Sequence, residues 1–291
     1  MRKEVITLDV PYDKFACKRN DIPARLTVFH YEENEFTPRE KRPAVIVCPG
    51  GAYFFLCERE GWPVADEFAE NGVRPFVLEY SVTPNKFPAA LMEIAQAIRI
   101  VREHADEFGI DRDKILVMGS SAGGHLVASI GTLWNEPFLA EALGVEPDMI
   151  KPNGVMANYP VITAGEYTHQ DSIVNLMGDD SLVEEDARRA SAEASPYFKY
   201  AALEKNVDSD TAKTFIWTSF DDDLVPIENS LAYVKALKDA GVPVEFHLFP
   251  YAGHGMSLAN ERASEDPGKG DVDPYIARWF EWAIEWIEKE I

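Results

Sequence analysis

Basic residues are scarce in this 291-residue sequence: Lys and Arg number 28 against 50 Asp and Glu, a formal net charge of −22. A field of that sign repels phosphate backbones and anionic lipid surfaces, which argues against nucleic-acid and membrane-surface binding. Cysteine is scarcer still. Cys17, Cys48 and Cys57 are an odd set with no C-x-x-C pair, so they suit neither a disulfide framework nor a cysteine-based zinc site and read as reduced structural thiols. Nor is a membrane span on offer: the uncharged run from Pro43 to Cys57 is interrupted by Pro49-Gly50-Gly51 and is shorter than the roughly 18 apolar residues such a helix requires. Charges at Arg2, Lys3, Glu4 and Asp9 leave no apolar core for a signal peptide, and the chain as written reads as cytoplasmic. Internal repeats and low-complexity tracts are also missing.

What is present is 46% hydrophobic residues, enough to fill a sizeable core and to make disorder untenable. Short β-branched runs alternate with longer stretches of helical spacing, the signature of α/β architecture. Val5 to Leu8 and Arg25 to Tyr31 alternate partly and suggest antiparallel strands at a sheet edge. Ala44 to Cys48 is continuously apolar, as are Arg74 to Tyr80, Ile115 to Met118, Gly154 to Asn158, Thr214 to Ser219 and Val244 to Phe249 in large part. Such strands need cover on both faces and predict a mostly parallel central sheet. Covering helices are predicted over 62–71, 88–109, 126–134, 229–240 and 274–289, the last with core-packing tryptophans. The whole of 1–291 reads as a single domain. Residues 160–213 exceed a simple crossover and suggest a lid insertion, and Glu261 to Asp273 suggests a mobile loop.

The chemistry concentrates after the strand Lys114 to Met118, in Gly119-Ser120-Ser121-Ala122-Gly123-Gly124-His125. This is G-x-S-x-G between a strand and a helix, where glycines two before and two after a serine let the two elements approach. The helix amino terminus adds a dipole that favours developing negative charge. Ser121 is therefore the candidate nucleophile, with Ser120 aimed elsewhere. A serine needs a base oriented by a carboxylate, and for this fold the chain order is Ser, acid, His. Of His30, His104, His125, His169, His247 and His254, only the last two follow the candidate acid loop. His247 falls inside a strand pattern. His254 lies between Gly253 and Gly255, which free the backbone to aim its ring, and it is the candidate base. The strand 214–219 ends at Phe220-Asp221-Asp222-Asp223, and spacing alone does not choose among the three carboxylates. One oxyanion donor should be the amide of Ala122, the other from the loop Cys48-Pro49-Gly50-Gly51-Ala52-Tyr53.

Together these residues resemble the α/β-hydrolase superfamily over nearly the whole chain. More narrowly, Pro49-Gly50-Gly51-Ala52-Tyr53, Gly119-x-Ser121-Ala122-Gly123-Gly124-His125, Asp222-x-x-Val225-Pro226-x-x-Asn229-Ser230 and Gly253-His254-Gly255-Met256-Ser257-Leu258-Ala259 are similar to acetyl-xylan-esterase-like carbohydrate esterases. The resemblance implies the acid, four residues before Pro226, to be Asp222. It also implies an oxyanion hole made by the Gly51, Ala52 and Ala122 amides. Hormone-sensitive-lipase-like esterases usually carry Asn at the position of His125 and a full His-Gly-Gly-Gly, and this chain departs from both. His125 is either part of an acetyl-pocket floor or a packed structural histidine. Tyr53 and Tyr159, near the carboxyl ends of parallel strands, are either sugar-stacking residues or core.

The expected activity is removal of O-acetyl groups from xylo- or manno-type oligosaccharides through an acyl-enzyme, without metal or organic cofactor and with a small-molecule substrate as partner. A general short-chain carboxylesterase is the competing reading. A non-catalytic ligand receptor on this fold is the third, disfavoured by the simultaneous presence of Ser121, Asp222 and His254.

Overall fold

Apolar runs without polar alternation are stable as strands only when both faces are covered. The computed structural model, which describes residues 2–15, 17, 22–30, 41–266 and 271–291, lays them side by side. The strands are β1 (Arg2–Thr7), β2 (Arg25–His30), β3 (Arg42–Cys48), β4 (Arg74–Glu79), β5 (Ile110–Ser120), β6 (Gly154–Asn158), β7 (Thr214–Ser219) and β8 (Val244–Phe249). They form one sheet in the order β1-β2-β4-β3-β5-β6-β7-β8. β1 and β2 are antiparallel and join antiparallel to β4, as the partial alternation predicts, and every pairing from β4 through β3 to β8 is parallel. β1 begins and ends earlier than the sequence pattern suggests. Leu8 has left the ladder and is fully buried, its amide on the carbonyl of Ala24 at 2.9 Å. Tyr31, expected at the end of β2, lies outside the described residues.

Successive residues of each central strand face opposite layers. Ala44, Ile46, Cys48, Val117, Val155 and Ile216 pack with α2 (Ala89–Glu103), α4 (Ala122–Leu133) and α8 (Glu228–Ala240). Val45, Val47, Leu116, Met118, Met156 and Trp217 pack with α1 (Trp62–Glu70) and the carboxyl-terminal helix, Arg278–Glu290. The tryptophans of that last helix are core, as expected: Trp279 is fully buried and stacks on Trp217 with centroids 5.6 Å apart. The segment predicted as one helix up to Gly109 is interrupted at His104, after which α3 (Ala105–Phe108) adds a single turn that Gly109 closes at φ 66°. Between α4 and α8 lie α5 (Pro137–Leu143), α6 (Gln170–Met177) and α7 (Glu185–Glu193), the latter two within 160–213; the carboxyl-terminal helix is α9. Among the described residues no helix is long and apolar enough to cross a membrane. Of the expected loop 261–273, residues 267–270 lie outside the described residues. Its flanks are tied down, Arg262 by Glu70 at 2.9 and 3.0 Å and Asp271 by Arg59 at 2.9 Å.

One charge sits in the middle of this core. Glu93 of α2 is fully buried and accepts hydrogen bonds from the Tyr12 hydroxyl (2.7 Å), the Ser81 hydroxyl (2.5 Å) and the Ser81 amide (2.6 Å). Burial nevertheless outweighs these donors and pushes its carboxyl up from 4.5 to about 7. The folded state then binds more protons than the unfolded state between those values, so this group makes stability fall as pH rises from about 4.5 to about 7, and makes no further change above. In Glu93→Gln an amide NH₂ must face one of the donors, a cost of about 1–3 kcal/mol. Urea unfolding is expected to show that deficit at pH 5 and to show it shrinking toward pH 7. A gap that is constant with pH would remove Glu93 from the titration.

Candidate active site

Between the last residue of β5 and the first of α4 stands Ser121, at φ 54° and ψ −117°. A sharp turn of this kind needs glycine where the chain touches itself. A Cβ on Gly119 would lie 2.2 Å from the Gly123 carbonyl oxygen, and one on Gly123 would lie 2.2 Å from that of Cys48. The Ser121 amide is held by the Asn158 carbonyl at 2.9 Å, and its own carbonyl accepts from the His125 amide at 3.0 Å. The side chain is thereby locked at the carboxyl edge of the sheet, where α/β proteins place ligands.

His254 follows β8, with Gly253 and Gly255 at φ 64° and 76°. Its Nε2 lies 2.9 Å from Ser121 Oγ and its Nδ1 lies 2.7 Å from Asp222 Oδ2. The Asp222 side chain has no exposed surface, and its other oxygen accepts from the amides of Leu224 (3.1 Å) and Val225 (2.8 Å). The neighbouring aspartates go elsewhere. Asp223 is exposed. Asp221 accepts from the Ser219 hydroxyl and from the amides of Ala252 (2.9 Å) and Gly253 (3.0 Å), which hold its carboxyl down to about 2, the hydroxyl contributing most. Spacing left three carboxylates open; the fold gives one to the imidazole and one to the loop that carries the imidazole.

The loop after β3 supplies amides. Gly51, Ala52 and Tyr53 follow one another at φ 125°, 54° and 56°, backbone that costs free energy at the two non-glycine positions and has to be held by its surroundings. A Cβ on Gly51 would come within 2.1 Å of the Phe55 carbonyl oxygen. Asn175 of α6 donates to the Ala52 carbonyl at 3.0 Å and fixes that peptide. Among the described residues the chain gives no acceptor to the amides of Gly51 and Ala52, and Ala122, first in α4, lacks an intrahelical one. Gly51 and Ala52 border a cavity of about 230 Å³ that is also lined by Phe55, Ser121, His169 and His254, among others. The arrangement is competent for attack by a hydroxyl on an acyl carbon, with a base beside the hydroxyl and amides free to stabilise an oxyanion. Among the described residues no group of three His, Cys, Asp or Glu side chains is placed to hold a metal ion.

Three residues read as candidate substrate contacts lie elsewhere. Tyr53 and Tyr159 are 2% and 1% exposed, so neither ring has a face open to a sugar. Tyr53 donates its hydroxyl to His125 Nδ1 at 2.9 Å. His125 has no exposed surface, its Nε2 meets the Ala201 carbonyl at 3.2 Å, and it is not part of the cavity wall. Burial lowers its pKa to about 4 and keeps it neutral. It is the packed alternative, tying the Tyr53 loop to the segment around Ala201.

The residues that sequence reasoning missed are those that join the loops. Glu60, 4% exposed, accepts from the Gly50 amide at 2.9 Å and from the Tyr159 hydroxyl at 2.8 Å. That hydroxyl accepts in turn from the Ser257 amide at 2.9 Å, and the Tyr159 ring packs edge-on against His254 at 5.0 Å. Ser257 Oγ donates to the Arg59 carbonyl at 2.7 Å, and the Arg59 guanidinium donates to the Gly255 carbonyl. The oxyanion loop and the histidine loop are thus braced against each other. In the sequence Glu58-Arg59-Glu60 resembles a solvated charged turn, and only its closeness to Gly50-Gly51 hints otherwise. Asn229 stands in the sequence only as part of a motif; its side-chain oxygen accepts from the amides of Ile162 (2.9 Å) and Thr163 (3.1 Å), anchoring the chain that follows β6.

Comparison with known proteins agrees with this architecture. A xylanase, endo-1,4-beta-xylanase B of Butyrivibrio fibrisolvens, is 36% identical over 232 residues, 76% of this chain and 33% of its own length. The acetylxylan esterase of Xylanibacter ruminicola is 27% identical over 218 residues, 74% of this chain and 41% of its own. The chain therefore spans between a third and about two fifths of the length of these curated relatives. The crystal structure of an acetyl ester-xyloside bifunctional hydrolase from Caldicellulosiruptor lactoaceticus superposes with a TM-score of 0.74 at 31% identity, covering 92% of this chain and 89% of that one. The fold is that of the α/β hydrolases. With residues 34–237 matching the family model BD-FAE, the chain belongs to the BD-FAE family.

Proposed function

We propose that this protein is a serine esterase that removes acetyl groups from xylo- or manno-type oligosaccharides. The observation that carries the reading is the unbroken relay from Ser121 through His254 to Asp222, opening on a cavity edged by unbonded backbone amides. His254 Nε2 takes the proton of Ser121 as Oγ bonds to the acetyl carbon. The carbonyl oxygen, now negative, is received by the amides of Gly51, Ala52 and Ala122. Collapse breaks the bond to the sugar oxygen, which leaves with the proton from His254, and the acetyl group remains on Ser121. Water then repeats the sequence, its proton going to His254 and its oxygen to the acetyl carbon, releasing acetate and the free serine. Asp222 keeps the imidazole proton on Nδ1 and stabilises the imidazolium between steps. Every step uses only the chain's own groups and water. The segment 160–213 acts as a lid that brings His169 to the cavity.

The substrate class is supported by two relatives whose names couple acetyl esters with xylan or xyloside, the acetylxylan esterase and the acetyl ester-xyloside bifunctional hydrolase, and by a third that is named a xylanase. The test is acetate release from acetylated xylo- and manno-oligosaccharides, run beside aryl esters of acyl chains from acetyl to octanoyl with Ser121→Ala as the blank. Preference for acetylated sugars, with activity falling steeply beyond short acyl chains, is the expected result. Activity confined to aryl and alkyl esters would replace this reading with the general short-chain carboxylesterase.

A further inference from the structure

The cavity beside Ser121 carries two groups that the acyl-transfer steps do not use. His169, at the start of α6, and Phe55, just past the oxyanion loop, both contribute to its wall. His169 is half-buried and its Nδ1 lies 2.8 Å from Ser172 Oγ. Ser172 has no exposed surface, and among the described residues its hydroxyl has no other partner. A hydroxyl buried this completely gives its proton to the acceptor within reach. Ser172 therefore donates to Nδ1, which makes Nδ1 the acceptor nitrogen and leaves the ring proton on Nε2. Nε2 makes no hydrogen bond among the described residues, and it is not a buried unsatisfied atom. Burial, chiefly, and the nearby His254 lower the His169 pKa while Asp171 and Asp222 raise it, and the net direction is down. The result is a neutral imidazole with one fixed N–H on an open edge. Phe55, for its part, is 55% exposed and lines the cavity together with the 49% exposed Leu224, and apolar surface gathered at a cavity mouth with a few polar groups is what a ligand site presents.

We propose that His169 and Phe55 form the leaving-group subsite, the Nε2–H of His169 donating to a hydroxyl of the acetylated sugar while the ring stacks on the side chain of Phe55. This inference rests on the proposed function and gives it a means of recognition. Sugars present hydroxyl acceptors at their edges and C–H groups on their faces, which is what a fixed N–H and an exposed aromatic ring can receive together. An aryl acetate has no hydroxyl for His169. His169 thus separates sugar esters from aryl esters, and Phe55 holds the ring of either, without touching the reacting atoms.

The test compares kcat/KM on an acetylated xylo-oligosaccharide with kcat/KM on 4-nitrophenyl acetate and reads their ratio. His169→Leu is expected to lower the ratio about 10-fold, mainly through KM for the sugar ester, the worth of one hydrogen bond at the upper end of the neutral range. His169→Gln, which can present an N–H from the same position, should recover part of the loss. Phe55→Ala is expected to lower kcat/KM on both esters by comparable factors of up to about 10-fold, since a nitrophenyl ring stacks on it as a sugar face does. Ser172→Ala leaves the imidazole in place and frees its tautomer, so the ratio should fall about 3-fold; it carries the test if His169→Leu folds poorly. A ratio unchanged by His169→Leu and Ser172→Ala, or kcat/KM on the sugar ester untouched by Phe55→Ala, would overturn the subsite while leaving the esterase reading intact. A wild-type protein active on aryl acetate and inert on acetylated sugars would overturn the substrate assignment and the subsite together.

Discussion

Alanine at Ser121 or at His254 is expected to lower kcat by at least about 10⁴-fold, because the members of such a relay act as a unit. Without Ser121 Oγ there is no atom to carry the acetyl group. Without the imidazole the hydroxyl keeps its proton at neutral pH, and Asp222 does not replace it, being reached only through His254 and having no exposed surface. Unit behaviour gives the prediction its sharper form. The double variant Ser121→Ala/His254→Ala should be no slower than either single one, the residual rate coming from the amides of Gly51, Ala52 and Ala122 and from binding. Initial rates of all three on 4-nitrophenyl acetate, under substrate saturation, check this. Independent, multiplying losses would mean that Ser121 and His254 do not share a proton.

Asp222→Asn is expected to cost about 10⁴-fold in kcat while leaving the fold in place. The reason lies in the two amides on Oδ1. In the variant the carboxamide oxygen remains on the N–H groups of Leu224 and Val225, since placing the NH₂ there would oppose donor to donor. The NH₂ then faces His254 Nδ1 and forces that nitrogen to accept, so the ring proton moves to Nε2, the atom that has to take the Ser121 proton. Asp221→Asn meets no such reversal, because its contacts are the amides of Ala252 and Gly253 and the Ser219 hydroxyl, all donors that a carboxamide oxygen can still receive. Its loss should stay within roughly 10-fold and come from looser placement of the histidine loop. Equal losses in the two variants would refute the division of labour between adjacent aspartates.

The parts of this molecule that announce themselves locally were readable in advance. Continuous apolar runs marked the central strands because burial on both faces leaves no place for polar residues, and G-x-S-x-G marked the elbow because the backbone collisions at Gly119 and Gly123 are short-range necessities. Illegible were the choices made by contacts distant in sequence. Whether Tyr159 offers its ring to a sugar or closes the core depends on Glu60, 99 residues away, taking its hydroxyl. The aromatic residue exposed at the cavity is Phe55, two positions beyond Tyr53, which the sequence offers equally as a sugar platform or as core, and nothing in Tyr53-Phe54-Phe55 tells which ring turns inward until His125 receives the Tyr53 hydroxyl. Asp222 needed the family resemblance for the same reason, since three adjacent carboxylates differ only in what they meet after folding.

The brace between Ser257 and the segment around Glu60 bears on how the protein comes into being. Its bonds join residues 198 and 98 positions apart, and the Ser257 carbonyl is held by the Trp279 indole at 2.9 Å. A ribosome delivers the nucleophile and the oxyanion loop long before the helix that carries Trp279, and domains generally settle as units once their sequence is available. Long-range closures of this kind are paid in loop entropy before they return any contact energy. A chain that stops short of Trp279 is consequently expected to leave the His254 loop unplaced and Ser121 without its hydrogen-bonded imidazole.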